Sequence, residues 1–204
     1  MNKKFFLLVI WMFLTINTFA QKIFVWCPPN AEIGPVNDKL KGLNINIVIA
    51  DFRKIVDTTH VECTSEDLIT TIAQTITTAY PAAIINILDT NQFKTQAEKQ
   101  KVTIRIAITA YHSASGNDAS DAIGKPEENF SWGVLPKNKW NSVAGFNVVI
   151  EDYRSENLKK LTRNIANIVS RPNIGGSLTA KKALFEAYKE ANRELLYFIE
   201  STLQ

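Results

Sequence analysis

Alternation of apolar and polar residues predicts most of the strands of this chain. The clearest case is 102–111, where Ile104, Ile106 and Ile108 alternate with mostly polar residues. This pattern places one face of a strand in the core and the other in solvent. Similar stretches predict further strands over 22–27, 44–51, 82–89 and 143–153.

Two segments have the spacing of apolar positions that is typical of an amphipathic helix. The first begins at Thr64 or Ser65, either of which can cap its N-terminus, and Pro81 ends it. Acidic residues in its first turn favour the same interpretation, because the helix dipole stabilises negative charge there. The second and longer helix is predicted over 178–203, after two consecutive glycines break the chain.

Residues 158–169 fit either a helix or a strand. Their leucines and isoleucines have helical spacing, whereas the turn at 155–157 and the Thr, Asn and Ile content fit the second strand of a hairpin. We favour the strand, because Arg171 and Pro172 would then close it naturally.

Together these elements predict an α+β protein built as a two-layer sandwich. We expect a mostly antiparallel sheet of about six strands, with the mid-chain helix and the long C-terminal helix on one face. Because the strands alternate instead of being apolar throughout, the other face of the sheet is expected to stay uncovered. One domain over 21–204 accounts for all of these elements.

Residues 1–20 have the three parts of a secretory signal peptide: Lys3 and Lys4, an apolar stretch, and the small residue Ala20 before the expected cleavage point. The apolar stretch is shorter than the roughly 20 residues that span a bilayer; a retained N-terminal anchor is the alternative. Cys27 lacks the small neighbours that lipid attachment needs, and we predict no transmembrane segment in the mature chain. The mature protein is therefore expected to be periplasmic or secreted.

The composition is that of an ordinary globular protein, with 46% hydrophobic and 21% charged residues among 204. Basic and acidic residues number 23 and 20. Removal of residues 1–20 would take two lysines and leave the chain nearly neutral, which gives no electrostatic reason to expect a nucleic-acid partner.

Cys27 and Cys63 are the two cysteines of the chain. An even number of cysteines in an oxidising compartment makes them a candidate disulfide, with two buried thiols as the alternative. Neither has a second cysteine at the spacing of a zinc site, so we predict no metal ligand here.

No motif for catalysis or for a cofactor is found. His60 and His112 lie outside any zinc-binding spacing, and Ser113 lacks the sharp turn of a serine nucleophile. There is no phosphate-binding glycine motif and no complete calcium loop around Asp118 and Asp121. We therefore predict no catalytic residue, no cofactor and no enzymatic activity, a hydrolase with an unrecognised site being the less favoured alternative.

The segment 112–142 has no periodicity and is predicted to be a long loop, of the length that is usually functional or disordered. It carries Phe130, Trp132 and Trp140, which are candidate contacts for a partner protein or a stacking surface for a glycan. The alternative is that they pack back over the sheet. A second candidate surface is the uncharged side of the mid-chain helix, formed by Thr70, Thr71, Gln74, Thr75 and Thr78.

The order of elements behind a signal peptide resembles the small envelope domains typified by the TolB amino-terminal domain and by the curli-secretion lipoprotein (CsgG-like) group. The likeness rests on 45–51, 102–110, 146–153 and the closing helix around 183–199. The chain also resembles uncharacterised exported proteins of Bacteroidota, in which Gln often follows the cleaved Ala, as Gln21 does here. The resemblance implies a binding or assembly module without catalytic residues.

The sequence thus predicts a non-catalytic exported or periplasmic protein of the cell envelope that acts through protein–protein contacts. Its partner would be another envelope protein or a second copy of the chain. A module that binds a glycan or another small ligand through the loop aromatics is the alternative.

Overall fold

The structure is a computed structural model that describes residues 23–29, 36–53, 59–96, 101–115, 139–155 and 157–204. These residues form one sheet of seven strands and two α-helices. In chain order the elements are β1 (Ile23–Val25), β2 (Asn44–Asp51), β3 (Thr59–Val61), α1 (Ser65–Ala79), β4 (Ile84–Leu88), β5 (Val102–Ser115), β6 (Lys139–Asp152), β7 (Lys159–Pro172) and α2 (Gly176–Leu203). A short 3-10 helix over Thr90–Lys94 follows β4.

The long strand β5 lies at the centre of the sheet. β6 pairs antiparallel with it from Val102 to Ser115, and β7 pairs antiparallel with β6. On the other edge of β5, β2 pairs in parallel as far as Ile108, and β1 pairs antiparallel at Ser113 and Ala114. β4 and β3 extend that edge by pairing in parallel with β2 and β1. The sheet is therefore mixed.

A register shift between Ile108 and Ala110 changes which residues of β5 face the helices. Before the shift the even-numbered isoleucines enter the core, and after it Tyr111 does so. Its ring meets Tyr188 of α2 edge-on at 5.4 Å, and its hydroxyl donates a hydrogen bond to the carbonyl of Trp26 at 2.8 Å. The irregularity thus joins β5 to both α2 and the end of β1.

The two helices form one layer on the same face of the sheet. α1 begins at a capping box in which the Thr64 hydroxyl accepts from the Asp67 amide, and the Asp67 carboxylate accepts from the Thr64 amide. At the other end of α1, the Tyr80 hydroxyl donates to the Leu196 carbonyl of α2 at 3.0 Å. The core lies between this layer and the sheet.

The second face of the sheet is partly covered, which corrects the expectation of an open face. Thr103, Arg105 and Ala107 of β5 point away from the core and are nevertheless buried. The Arg105 guanidinium donates to the carbonyls of Gln92 and Phe93 at 3.1 and 2.7 Å, and it pairs with a carboxylate of β6 at 3.1 Å. A single buried arginine thereby holds the 3-10 helix against this face.

The α+β prediction with two helices is confirmed, and 158–169 falls in a strand, β7. The sheet has seven strands where about six were expected, because β3 consists of three residues, too few for a recognisable alternation. The sheet is also less antiparallel than predicted, since three of its pairings are parallel. The predicted loop over 112–142 is wrong at both ends, because 112–115 belong to β5 and 139–142 to β6; its other residues lie outside the described ones.

A disulfide joins Cys27 to Cys63, whose Cα atoms lie 4.6 Å apart. Cys27 lies two residues beyond β1 and Cys63 two residues beyond β3, and the parallel pairing of these strands brings the two cysteines together. Cys63 is fully buried just before α1. The bridge therefore fixes the short strands β1 and β3 to the start of the helical layer.

Reduction of this disulfide is expected to destabilise the protein by about 4 kcal/mol, because the bridge closes a loop of 36 positions in the unfolded chain. The measurement is urea unfolding of the oxidised protein and of the Cys27→Ser/Cys63→Ser double variant. Wild-type protein kept reduced serves as the control and should match the variant. Equal unfolding midpoints for the oxidised and reduced proteins would contradict the prediction.

Candidate functional site

A buried ion pair lies where β2 ends. Arg53 donates from Nε to the carboxylate of Asp51 at 2.9 Å and from Nη2 at 2.6 Å, and both side chains are nearly inaccessible to solvent. The hydroxyl of Ser65, the first residue of α1, donates to the same carboxylate at 2.5 Å. The carboxyl ends of parallel strands are a common place for ligand sites, so this cluster is the first candidate to consider.

Burial by itself would raise the pKa of Asp51. Hydrogen bonds from Arg53 and Ser65, together with the Arg53 charge, outweigh that effect and hold the pKa below its usual value. Arg53 also donates to the carbonyl of Tyr111 at 3.4 Å. The ion pair therefore ties together the ends of β2, α1 and β5, and both of its partners are already engaged within the protein.

His112 is the buried titratable group next to this ion pair. It is 7% exposed, and its Nε2 has no hydrogen-bond partner among the residues that the structure describes. Burial lowers the pKa of His112 to about 4, and the Arg53 charge acts in the same direction. The imidazole is therefore neutral at physiological pH.

The neighbouring pair His112 and Ser113 does not form a base and a nucleophile. The Ser113 hydroxyl lies 2.5 Å from that of Ser142 and donates to the Ala180 carbonyl of α2 at 3.1 Å, so it faces the helical layer. Successive residues of a strand point to opposite faces, which sends the His112 ring away from Ser113. The hydroxyls anchor the first turns of α2 to the sheet.

Within the described ranges, the one group of potential metal ligands is Cys27, Cys63 and Asp67. Both sulfur atoms belong to the disulfide, and the Asp67 carboxylate accepts the hydrogen bonds of the helix cap. This donor set does not fit a metal ion, because a disulfide sulfur is not a thiolate.

The structure places Trp140 inside the protein. Trp140 is 6% exposed, and its ring contacts the ring of Phe24 of β1 edge-on, with 5.7 Å between the ring centres. A stacking surface for a ligand needs an open ring face, which Trp140 does not have here. Phe130 and Trp132 lie outside the described residues, and their role in binding stays a prediction.

The uncharged side of α1 is less exposed than its sequence predicts. Thr75 is buried, and its side chain lies next to that of Tyr188 in α2. The hydroxyls of Thr71 and Thr78 donate to carbonyls four residues back, at 2.8 and 2.7 Å. These threonines thus satisfy their polar atoms within the helix, which accounts for a helix surface without charge.

Sequence reasoning missed an apolar turn between β7 and α2. Ile174, between the two elements, is 78% exposed, and Leu178, in the first turn of α2, is 61% exposed. The turn is closed by the Thr179 hydroxyl, which donates to the Ile174 carbonyl at 2.6 Å. One signal was available: Ile174 follows Pro172 and precedes two glycines, outside any periodic pattern. An apolar residue outside any periodic pattern is not expected on the face of an element that packs in the core.

Neither described helix combines the length and the apolar character that a membrane-spanning helix requires.

Comparison with known proteins assigns no family, since no family model and no curated protein matches the chain. Among solved structures, the chain is similar to a DUF330-family protein of Xanthomonas campestris, with 8% identity and a TM-score of 0.48 over 87% of this chain and 95% of the other. A lipoprotein of Neisseria meningitidis shares 10% identity, with a TM-score of 0.36 over 72% and 94%. PelC of Paraburkholderia phytofirmans, a dodecamer, shares 11% identity, with a TM-score of 0.36 over 84% and 98%. The resemblance to TolB and CsgG-like domains stays a prediction.

Because His112 is buried and neutral, we expect the free energy of unfolding to fall as the pH is lowered from 6.5 to about 4. In this window the unfolded chain binds a proton on His112 and the folded protein does not, so protonation favours unfolding. The loss is on the order of 3 kcal/mol. Urea unfolding across the window measures it.

His112→Phe should flatten this pH dependence, because it replaces the imidazole with an apolar ring of similar size. The matched comparison is His60→Asn, which replaces the exposed histidine of β3 and shows what removal of a histidine outside the core does to the same measurement. Carboxylates with a lowered pKa, such as Asp51, also cost stability as the pH approaches 4, and because they are the same in His112→Phe, the difference between the two pH dependences isolates His112. Identical slopes for wild type and His112→Phe would show that the prediction is wrong.

Trp140→Ala is expected to lower the free energy of unfolding by about 3–5 kcal/mol, the usual cost of removing a large buried aromatic ring. Thermal or urea unfolding measures the change. Trp132→Ala is the comparison, because Trp132 is predicted to act in binding and its removal should leave stability nearly unchanged. Equal stability of Trp140→Ala and wild type would contradict the burial of this ring.

Proposed function

We propose that this chain is an exported, non-catalytic binding or assembly protein of the cell envelope, and that it acts through protein–protein contacts. The proposal of export rests on the predicted signal peptide, which lies outside the described residues. The disulfide between Cys27 and Cys63 supports it, because such bonds persist mainly in oxidising compartments.

The observation that carries the proposal is the apolar turn of Ile174 and Leu178. It lies at the end of the sheet where the segment 116–138 leaves β5 and rejoins β6. Asn173 donates to the Ser115 hydroxyl at 3.5 Å, and Lys139 pairs with the last residue of β7. Two large apolar side chains therefore stand exposed next to both ends of the segment that contains the predicted contact residues Phe130 and Trp132.

Two large apolar side chains exposed at the junction of a strand and a helix supply apolar surface that a partner protein can bury. Such interfaces have an apolar, often aromatic centre surrounded by polar residues. Arg171 and Glu186, paired at 2.6 Å close to the turn, would supply a polar rim. We name this surface, formed by 173–178 and the ends of β5 and β6, the turn surface.

The same proposal assigns no catalysis to the buried polar cluster. Arg53 and Ser65 both donate to Asp51, and the His112 ring is buried and neutral. A general base needs a lone pair within reach of a substrate. These groups instead link β2, α1 and β5, which is a structural role.

The proposal is tested with the double variant Ile174→Ser/Leu178→Ser. We expect it to fold like wild type and to lose the partner that wild type retains after crosslinking in whole cells and purification. Mass spectrometry of the recovered proteins is the measurement. Trp132→Ala should lose the same partner, because Trp132 is predicted to contact a partner protein.

The matched control is Leu161→Ser, which removes a half-exposed leucine near the opposite end of β7. It should retain the partner. Equal recovery of the same proteins by wild type and the double variant would remove the turn surface from the proposal. Tryptophan fluorescence titrated with cell-wall fragments addresses the glycan alternative, and a saturable response would favour that alternative over a protein partner.

A further inference from the structure

The edge strand β4 carries exposed apolar side chains on both of its faces. Its sequence, Ile84 to Leu88, has no charged residue, and in the described part of the chain it pairs with β2 alone. Ile84 on one face is 57% exposed and Ile87 on the other is 46% exposed. A free edge of this kind is a template for pairing with another strand.

The opposite edge of the sheet is protected in a way that β4 is not. Edge strands are commonly guarded by charged residues and proline, which prevent pairing with another chain. β7 carries four basic residues, no acidic residue and a terminal proline: Lys159, Lys160, Arg163, Arg171 and Pro172. A second copy of β7 placed against this edge would bring like charges together. The third terminal strand, β3, has three residues, too few for an extended pairing. We therefore take β4 as the edge that accepts another strand.

The backbone of β4 shows which groups are available. The Ile84 amide donates inward to the Leu43 carbonyl at 2.9 Å. Because backbone groups alternate along a strand, those of Asn86 and Leu88 also point towards β2. The amides and carbonyls of Ile85 and Ile87 therefore point outward.

The sequence of β4 is nearly the same read in either direction: Ile-Ile-Asn-Ile-Leu. If a second copy pairs antiparallel about Asn86, Ile84 lies opposite Leu88 of that copy, and Ile85 lies opposite Ile87. Every apolar side chain then meets an apolar side chain on the same face. The outward groups of Ile85 and Ile87 form hydrogen bonds with those of the other copy, and no like charges are opposed.

Asn86 would lie on the two-fold axis, opposite its own copy. Its side-chain Nδ2 donates to the side-chain Oδ1 atoms of Asn44 and Asn46 at 3.0 and 3.3 Å. Asn86 and its copy form a non-hydrogen-bonded antiparallel pair, in which the side chains approach closely. Because both Nδ2 hydrogens of Asn86 bond within its own protomer, a bond between the two side chains requires one of them to turn from Asn46, the longer contact, to the Oδ1 of the other Asn86. The two side chains would then continue the row of asparagine amides across the interface.

We infer that β4 is a self-association edge, at which a second copy of this chain adds its own β4 antiparallel and two-fold symmetric about Asn86. The result is one continuous sheet across two protomers. A two-fold contact of this kind is closed, which limits the assembly at this edge to a pair. The inference concerns a different edge of the molecule from the turn surface and does not depend on it.

The test is sedimentation velocity of the full chain over a range of concentrations, combined with a charge exchange at the symmetry axis. Wild type should show a concentration-dependent dimer. Asn86→Lys and Asn86→Asp should each be monomeric, because either places two like charges opposite each other. An equimolar mixture of the two variants should regain the dimer, because the introduced lysine then faces the introduced aspartate.

Asn164→Lys is the matched control, since Asn164 is an exposed asparagine on β7 that accepts a hydrogen bond from Asn147 on the neighbouring strand. It should dimerise like wild type. Ile87→Pro is a second test that removes an outward amide without touching the pairing with β2, and it should be monomeric while its circular dichroism matches wild type. A wild type that is monomeric at every concentration, or dimers that persist in Asn86→Lys and Ile87→Pro, would overturn the inference.

Discussion

Hydrogen bonding along the two edges of β5 holds the described sheet together. Three strands pair with β5 directly, and each of the other three pairs with one of those. β5 is long enough to take two different neighbours on one edge, parallel β2 and antiparallel β1. The register shift after Ile108 lies between these two contacts and turns Tyr111 into the core. The disulfide, the helical layer and the polar cluster all depend on this arrangement.

Charged groups that are buried beside β5 also hold neighbouring elements of the fold together. Arg105 holds the 3-10 helix on the second face, and Arg53 with Asp51 closes the end of β2 over the start of α1. A buried charge is tolerated only when it is paired and hydrogen-bonded, and these groups satisfy both conditions. They contribute order at the junctions between elements, where apolar packing alone does not select one arrangement.

The two edges of the sheet differ in charge and in exposed apolar side chains. β7 ends the sheet with basic residues, several of which pair with carboxylates of β6 and α2. β4 ends it with isoleucines and an asparagine. The turn of Ile174 and Leu178 lies at one end of β7, so it is separate from the β4 edge. A binding surface and a self-association edge can therefore coexist on one chain.

Much of the fold could be predicted because patterns within a few residues determine where most helices and strands form. The alternation in 102–108, the cap at Thr64 and the stop at Pro81 each act within a few residues, and signals of this kind were enough to predict six of the seven described strands, both helices and the α+β class. The apolar turn was missed because Ile174 belongs to no periodic pattern. β3 was missed because three residues cannot show an alternation.

By itself the sequence determined the periodicity of each segment, and with it which segments become helices and strands. Only the tertiary structure decided the burial of Arg105, the position of Trp140 in the core and the pairing of β5 with both β2 and β1. The reason is physical: these features depend on contacts between residues far apart in the chain, such as Trp140 with Phe24 and Arg105 with Glu151. A residue's local pattern contains no information about which distant group will satisfy it.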